Sequence, residues 1–298
     1  MNWLRRGLNR VMDRDATPPA QQPELFPPGH FYSPVPDIAK VRADAARIFD
    51  RDRRDLPGVD LRESAQLELL EQFVPFYKEL PFAPTTSPGL RYHYENDFFS
   101  YGDAIFLYSM LRVLRPKRLV EVGSGFSSAV VLDTNERFLG SELDLVFVDP
   151  YAERLHTLMN DGDRARARVI ERPVQEVPLE VFTSLAAGDI LFIDSTHVSK
   201  IGSDVNYLFF EVLPRLQKGV YVHVHDVFYP FEYPEQWVYE GRAWNENYML
   251  RAFLQFNGAF ETRLFNGLIA RFHRDWLETN MPLCLKNTGG SFWMQRVS

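Results

Sequence analysis

The stretch most able to do chemistry is Glu121-Val-Gly-Ser-Gly125, set at the end of the apolar run Leu119-Val-Glu-Val122. Gly123 and Gly125 permit positive φ and let a ligand approach the backbone. A helix entered directly afterwards offers free N–H groups. A dinucleotide-binding turn would place a third glycine at position 128, where this chain has Ser128. Glu121 carries the stronger message. Its carboxylate would repel a pyrophosphate and attract a cofactor with a positive amino-acid head. The charge argument therefore favours S-adenosylmethionine over a nicotinamide cofactor. The alternative is an ordinary glycine-rich strand–helix turn.

Asp149 ends a second apolar run, Val146-Phe-Val-Asp-Pro-Tyr151. It lies roughly ~20 residues beyond the glycines, where a ribose-binding acid belongs, and Pro150 stops the strand behind it. The competing role is an N-cap for a helix from Ala152 onward. A second constellation comes from Phe192-Ile-Asp-Ser-Thr-His197 and His223-Val-His-Asp226. Asp194 ends one strand and Asp226 follows the next. In a parallel sheet those ends are adjacent, so the two carboxylates and His225 converge. His223 lies two residues before His225 and faces the same side of its strand. The plain alternatives are a His225 that packs or hydrogen-bonds and an Asp226 that caps a loop.

The elements that must position these residues alternate along the chain. Strands are expected at Arg118 to Val122, Leu143 to Val148, Arg168 to Glu171, Asp189 to Ile193 and Gly219 to Val224. Helices are expected at Ser127 to Phe138 and from about Val205 to Leu216. Nearly all-apolar strands separated by helices argue for a parallel sheet covered on both faces. Phe260 to Phe265 and Ser291 to Val297 alternate and read as a terminal antiparallel pair. Upstream, Asp37 can cap a helix through about Phe49, and Leu61 to Leu80 reads as an amphipathic helix. Ser100-Tyr-Gly-Asp103 has the form of a capping box opening a buried helix that Pro116 closes. The aromatic and proline-dense stretch from Phe228 to Trp244 reads as a lid over the sheet edge.

Composition bounds the answer. The 298 residues are 45% hydrophobic, enough for one elaborated α/β domain. A net charge of -7 gives no global attraction to nucleic acid or anionic membrane. Cys284 stands alone, so an intrachain disulfide is excluded and a reducing, cytoplasmic setting is expected. No run approaches the ~20 apolar residues of a transmembrane helix. Met1 to Met12 lacks the apolar core and cleavage site of a signal peptide. Leu4, Leu8, Val11 and Met12 sit at helical spacing among arginines, which reads as a short frayed helix or a weak anchor. Thr17 to Pro23 and Pro27-Pro28 read as a linker. The expected organisation is a flexible segment over 1–29, a helical cap over 30–93 and the main domain over 94–298.

Taken together, Ser100-Tyr-Gly-Asp-Ala104, Glu121-Val-Gly-Ser-Gly-Phe-Ser-Ser128, Phe192-Ile-Asp-Ser-Thr-His197 and His223-Val-His-Asp-Val-Phe-Tyr-Pro-Phe231 resemble a class I S-adenosylmethionine-dependent methyltransferase. The branch they resemble is that of small-molecule and sugar O-methyltransferases. The likeness runs from about Tyr94 to Val297. It implies an α/β, doubly wound, seven-stranded, mostly parallel sheet of the Rossmann-like methyltransferase type, ending in an antiparallel hairpin. It also implies that Glu121, Gly123, Ser124, Gly125 and Ser128 hold the methionine part of the cofactor and Asp149 its ribose. Gln175 would lie beside the adenine, with Asp194 also at the cofactor.

Catechol-type O-methyltransferases, which the chain also resembles, bind magnesium through acids at the same two strand ends, and a base follows the first acid by three residues. Here that implies Asp194, His225 and Asp226 as ligands to Mg2+ or Mn2+, with Asp194 and His197 as catalytic groups. A cation lowers the pKa of a bound hydroxyl, and imidazole can take its proton. Those relatives carry Asp-Asn where this chain has His225-Asp226, and imidazole suits manganese, iron or zinc better than magnesium. The implied activity is O-methyl transfer to a small-molecule or sugar acceptor, with homo-oligomer formation left open. The rivals are a catalytically silent binding or scaffold protein on the same fold and an NAD(P)-dependent oxidoreductase.

Overall fold

The computed structural model describes residues 25–298. The helix and linker expected over Met1 to Pro23 lie outside the described residues. The apolar runs form β1 (Arg118–Val122), β2 (Asp144–Val148), β3 (Arg168–Ile170), β4 (Ile190–Ile193), β5 (Tyr221–His225), β6 (Phe260–Phe265) and β7 (Ser291–Arg296). They make one seven-stranded sheet in the order β3-β2-β1-β4-β5-β7-β6. Strands β1 to β5 pair in parallel, and β7 inserts antiparallel between β5 and β6. This is the doubly wound arrangement the sequence implies. β1 pairs with β2 on one side and β4 on the other. Chain order reverses there, and ligands in open α/β sheets bind in the crevice outside the strand ends at that point.

The helices are α1 (Ile38–Ala43), α2 (Ala45–Ile48), α3 (Glu63–Tyr77), α4 (Tyr101–Leu114), α5 (Phe126–Phe138), α6 (Glu153–Leu158), α7 (Asp161–Arg166), α8 (Glu180–Thr183), α9 (Asp204–Tyr207), α10 (Glu235–Tyr239), α11 (Glu246–Leu254), α12 (Asn266–Phe272) and α13 (Arg274–Asn280). Asp37 caps α1 by accepting from the Ala39 and Lys40 N–H groups. The single helix expected over Val205 to Leu216 is instead α9, a π turn at Leu208–Val212 and a 3-10 turn at Leu213–Arg215. Pro214 has no N–H to continue a regular helix, and the chain tightens there into the 3-10 turn.

The strands are buried almost end to end. The register sets Phe147, Glu121, Phe192, His223 and Trp293 side by side across five strands. Phe192 stacks on His223 with centroids 3.9 Å apart. One carboxylate therefore stands in a row of aromatic rings, and burial will penalise its charge.

The chain before β1 is fastened to the core. Leu56, Leu70 and Phe73 belong to the buried cluster. Gln66 on α3 accepts from the Phe265 N–H at 2.8 Å. Arg42 stacks on Tyr239 of α10 at 3.6 Å, and Arg51 donates to the Tyr229 carbonyl at 3.0 Å. Buried Asp133 on α5 accepts from the Arg91 and Tyr92 N–H groups and from the Arg91 guanidinium. That tie fixes the loop that carries Phe98 and Phe99 toward the strand ends. Among the described residues, no helix is long and apolar enough to cross a membrane.

Candidate functional site

The glycine turn is built by crowding. Gly123 has φ +79, and a Cβ there would fall on the carbonyl oxygen of Asp194. Gly125 is extended at φ 164, so positive φ is not its reason for being glycine. A Cβ at Gly125 would lie 3.0 Å from Cδ of Arg154, which passes over the turn. Ser128 Oγ accepts from the Gly125 N–H at 3.0 Å and caps α5. The residue that replaces a third glycine therefore closes the turn itself.

Asp149 is tied to that turn. Its Oδ2 accepts from Ser124 N at 2.9 Å and Ser124 Oγ at 2.7 Å, and its Oδ1 accepts from Tyr151 N at 2.8 Å. The helix that follows, α6, takes no side-chain cap from it. Glu121 is fully buried, with Oε1 accepting from Ser127 Oγ and Oε2 without any partner. Burial pushes its pKa up to about 8, against the opposing pull of the Ser127 and Ser128 hydroxyls. A carboxyl so placed holds its proton at neutral pH. A cation brought against it would ionise it.

The second constellation is assembled around His197. Asp194 follows β4 and Asp226 follows β5, and the two strands are parallel neighbours. His197 Nε2 lies 3.4 Å from Asp194 Oδ1 and 3.6 Å from Asp226 Oδ2. Nδ1 lies 2.9 Å from Oε2 of Glu246, in the first turn of α11. Glu246 is 1% exposed, and its other oxygen accepts from Ser195 Oγ at 2.9 Å. His197 and Asp226 both adopt positive φ, +61 and +54, conformations that cost energy for non-glycine residues and gather at functional sites. The His197 carbonyl accepts from the Asn245 and Glu246 N–H groups, and Trp244 packs on its ring at 4.4 Å.

Electrostatics follow from this packing. Burial alone would lower the His197 pKa. The pairing with Asp194 and Glu246, and the charge of Asp226, outweigh it and hold His197 well above the usual imidazole range. Burial would raise Asp194, yet His225 and His197 hold it below the usual carboxylate range. The cluster thus favours the protonated form of His197.

Glu246 was not among the residues singled out from the sequence. In Asn245-Glu246-Asn247 it looks like any acid opening a helix, and nothing local reveals that it is buried against His197. His225 touches one of the two acids rather than both. Its Nε2 is 3.7 Å from Asp226 Oδ1, and its ring packs against Phe99 and beside His223. His197, rather than His225, stands between the two carboxylates. Among the described residues, no group of three or more His, Cys, Asp or Glu side chains is arranged to hold a metal ion.

One further expectation changes. Ser100 and Asp103 do not form a capping box. The Ser100 hydroxyl donates to the Tyr94 carbonyl, while buried Asp103 accepts from Gly290 N, Ser291 Oγ and Asn266 Nδ2. Asp103 therefore sews α4 to the start of β7. Gln175 is exposed and donates to the Gly202 carbonyl at 2.8 Å, tethering the loop after β4. The stretch after β5 folds into an aromatic wall. Phe228 meets Trp237 at 5.0 Å, Trp237 meets Trp244 at 5.5 Å and Tyr233 meets Trp244 at 6.0 Å.

Comparison with known proteins agrees with this geometry. The sequence profile of a family described as "Methyltransferase domain" matches residues 120–227, from the glycine turn to the acid after β5. A protein of Archaeoglobus fulgidus, described as an uncharacterized protein, is 34% identical over 168 residues, 54% of this chain and 74% of its own length. Solved structures with distant likeness include the S-adenosylhomocysteine-bound methyltransferase PaMTH1 of Podospora anserina. It is 14% identical, with 87% of this chain and 95% of that one covered and a TM-score of 0.42. The O-methyltransferase TomG of Streptomyces achromogenes is 15% identical, with 87% and 96% covered and a TM-score of 0.40. The chain belongs to the methyltransferase family whose domain its residues 120–227 match.

Proposed function

We propose that this protein transfers a methyl group from S-adenosylmethionine to a hydroxyl of a small molecule or sugar, bound where Asp194, His197 and Asp226 meet. The observation that carries this reading is the contact between the two sites. The Asp194 backbone presses on Gly123, and its carboxylate reaches His197. Cofactor turn and proton-handling cluster therefore share one residue.

When bound, the cofactor supplies an electrophilic methyl group on a sulfonium. The chain's own residues do the rest. Buried Glu121, with its unpartnered Oε2, fits a cationic head group, and Asp149 beside Ser124 fits ribose hydroxyls. His197 takes the hydroxyl proton at Nε2. Glu246 fixes the ring by pairing with Nδ1, which leaves Nε2 facing the two acids. Asp194, Glu246 and Asp226 favour the imidazolium. A cation held beside those carboxylates would share them and leave Nε2 free to accept a proton. The wall of Phe228, Tyr233, Trp237 and Trp244 shapes the acceptor side and excludes water.

A second form of the reading has Asp194 and Asp226 hold a divalent cation, because an oxygen of each lies near His197 Nε2, at 3.4 and 3.6 Å. Hard oxygen donors suit Mg2+, and a neighbouring imidazole also admits Mn2+. Calorimetry should show binding of S-adenosylhomocysteine and none of NAD. The reverse pattern would end the proposal in favour of an oxidoreductase. Loss of methyl transfer on chelation, restored by Mg2+ or Mn2+ with cofactor binding intact, selects the metal form; indifference to chelators selects His197 alone. Cofactor binding with no transfer to any hydroxylated extract would leave a silent binding protein.

A further inference from the structure

Arg154 on α6 is used by neither constellation, yet its side chain lies over the glycine turn. Its Cδ and Nη1 stand 3.0 and 3.6 Å from the position a Cβ would take at Gly125. The guanidinium rests on the ring of Phe98 at 3.6 Å, and Phe98 in turn stacks on Phe126, the first residue of α5. Phe98 is held by a turn in which Asn96 Oδ1 accepts from the Phe98 and Phe99 N–H groups. The arginine is half-buried, and burial lowers its pKa, while the charges of Asp194 and then Asp149 oppose that. Even so, its guanidinium makes no hydrogen bond or ion pair with any described residue. An arginine carries five N–H donors in a rigid fork that matches a carboxylate. Here the fork is pre-positioned on an aromatic face beside the glycine turn, with nothing to hold.

We infer that Arg154 is the residue that grips the carboxylate of the bound cofactor's amino-acid end. This rests on the cofactor reading above. That cofactor is zwitterionic at one end and has a single anionic group. Glu121 lies buried below the turn and suits the ammonium; Arg154 lies above it and suits the carboxylate. The stack on Phe98 limits the freedom the fork must lose on binding. A lysine could supply charge at this position but not the paired N–H geometry.

Calorimetry with two probes tests the assignment. S-adenosylhomocysteine carries the carboxylate. 5′-Methylthioadenosine shares the adenosine and thioether but lacks it. In the full chain, Arg154→Ala should weaken S-adenosylhomocysteine by about 10- to 100-fold, the loss of a paired charge-assisted contact. It should change methylthioadenosine by no more than roughly twofold. Arg154→Lys should fall between wild type and alanine for the first probe, and it keeps the test available if the alanine variant folds poorly. Equal losses for both probes would overturn the inference, since the arginine would then act on the adenosine or on the fold. Unchanged or tighter S-adenosylhomocysteine binding would also overturn it, marking the side chain as a plug. A wild-type protein that binds neither probe would overturn both this assignment and the cofactor reading beneath it.

Discussion

Glu121 makes cofactor binding a proton-linked event whose size follows from the structure. The carboxyl is fully buried and has one unpartnered oxygen, and burial pushes its pKa up to about 8. At pH 7 about nine-tenths of the molecules therefore hold the proton. If a cationic head group binds the ionised form, about 0.9 proton must leave per ligand at pH 7. Affinity should then rise nearly tenfold per pH unit up to about pH 8 and flatten above it. The assay is calorimetry of S-adenosylhomocysteine binding in buffers of different ionisation enthalpy. Apparent enthalpy should scale with buffer enthalpy, with a slope near one proton released.

Glu121→Gln should abolish both the slope and the pH dependence while weakening binding at pH 8.5. The same group affects folding. Its folded pKa lies above the unfolded value, so stability present below pH 4.5 is lost as pH rises through about 8. A rise from 4.5 to about 8 corresponds to about 5 kcal/mol, at about 1.36 kcal/mol for each step of one in pKa. Part of the wild-type fall in thermal midpoint across that window should disappear in Glu121→Gln. A buffer-independent enthalpy and an affinity flat from pH 6 to 8.5 would refute the reasoning.

Other predictions follow from the same geometry. Glu246→Gln should lower kcat by at least about 10-fold with the cofactor affinity unchanged, because it loosens the orientation of His197 rather than the glycine turn; steady-state kinetics beside calorimetry separates the two. Asp149→Ala should weaken S-adenosylhomocysteine by about 1–3 kcal/mol, through lost ribose contacts and a freed Ser124. Gly123→Ala should lower the thermal midpoint strongly, since φ +79 and the Asp194 carbonyl both oppose a Cβ; a cost under about 1 kcal/mol would contradict the crowding.

What could be read from the sequence was what local chemistry encodes. The strands declared themselves as short apolar runs, and their alternation with helices pointed to a parallel sheet. Glu121 stood out because a carboxylate in such a run needs a reason. Asp194 and Asp226 could be paired because parallel neighbours end at one edge. The rest depended on contacts between distant segments. Glu246 lies 49 positions from His197, and only the folded lid brings them together. Asp103 matched a capping spacing but found its partners 187 and 188 positions away, at Gly290 and Ser291. Arg154 is an unremarkable helix residue until its side chain is seen crossing the glycine turn. His225 could be placed near the two acids because strand ends are easy to align. That His197 stands between them could not be read, because loop residues with positive φ are not easy to align.

In the proposed reaction one shared edge binds S-adenosylmethionine and hands its methyl to a hydroxyl under the control of His197. The most direct test is mass spectrometry of a small-molecule and glycan extract incubated with methyl-labelled cofactor and either wild-type protein or His197→Ala. The account predicts a labelled O-methyl product with wild type. With the variant it predicts about 10²- to 10⁴-fold less product, while S-adenosylhomocysteine binding is retained. A labelled product formed equally well by both proteins, or label found on nitrogen or carbon rather than oxygen, would contradict it.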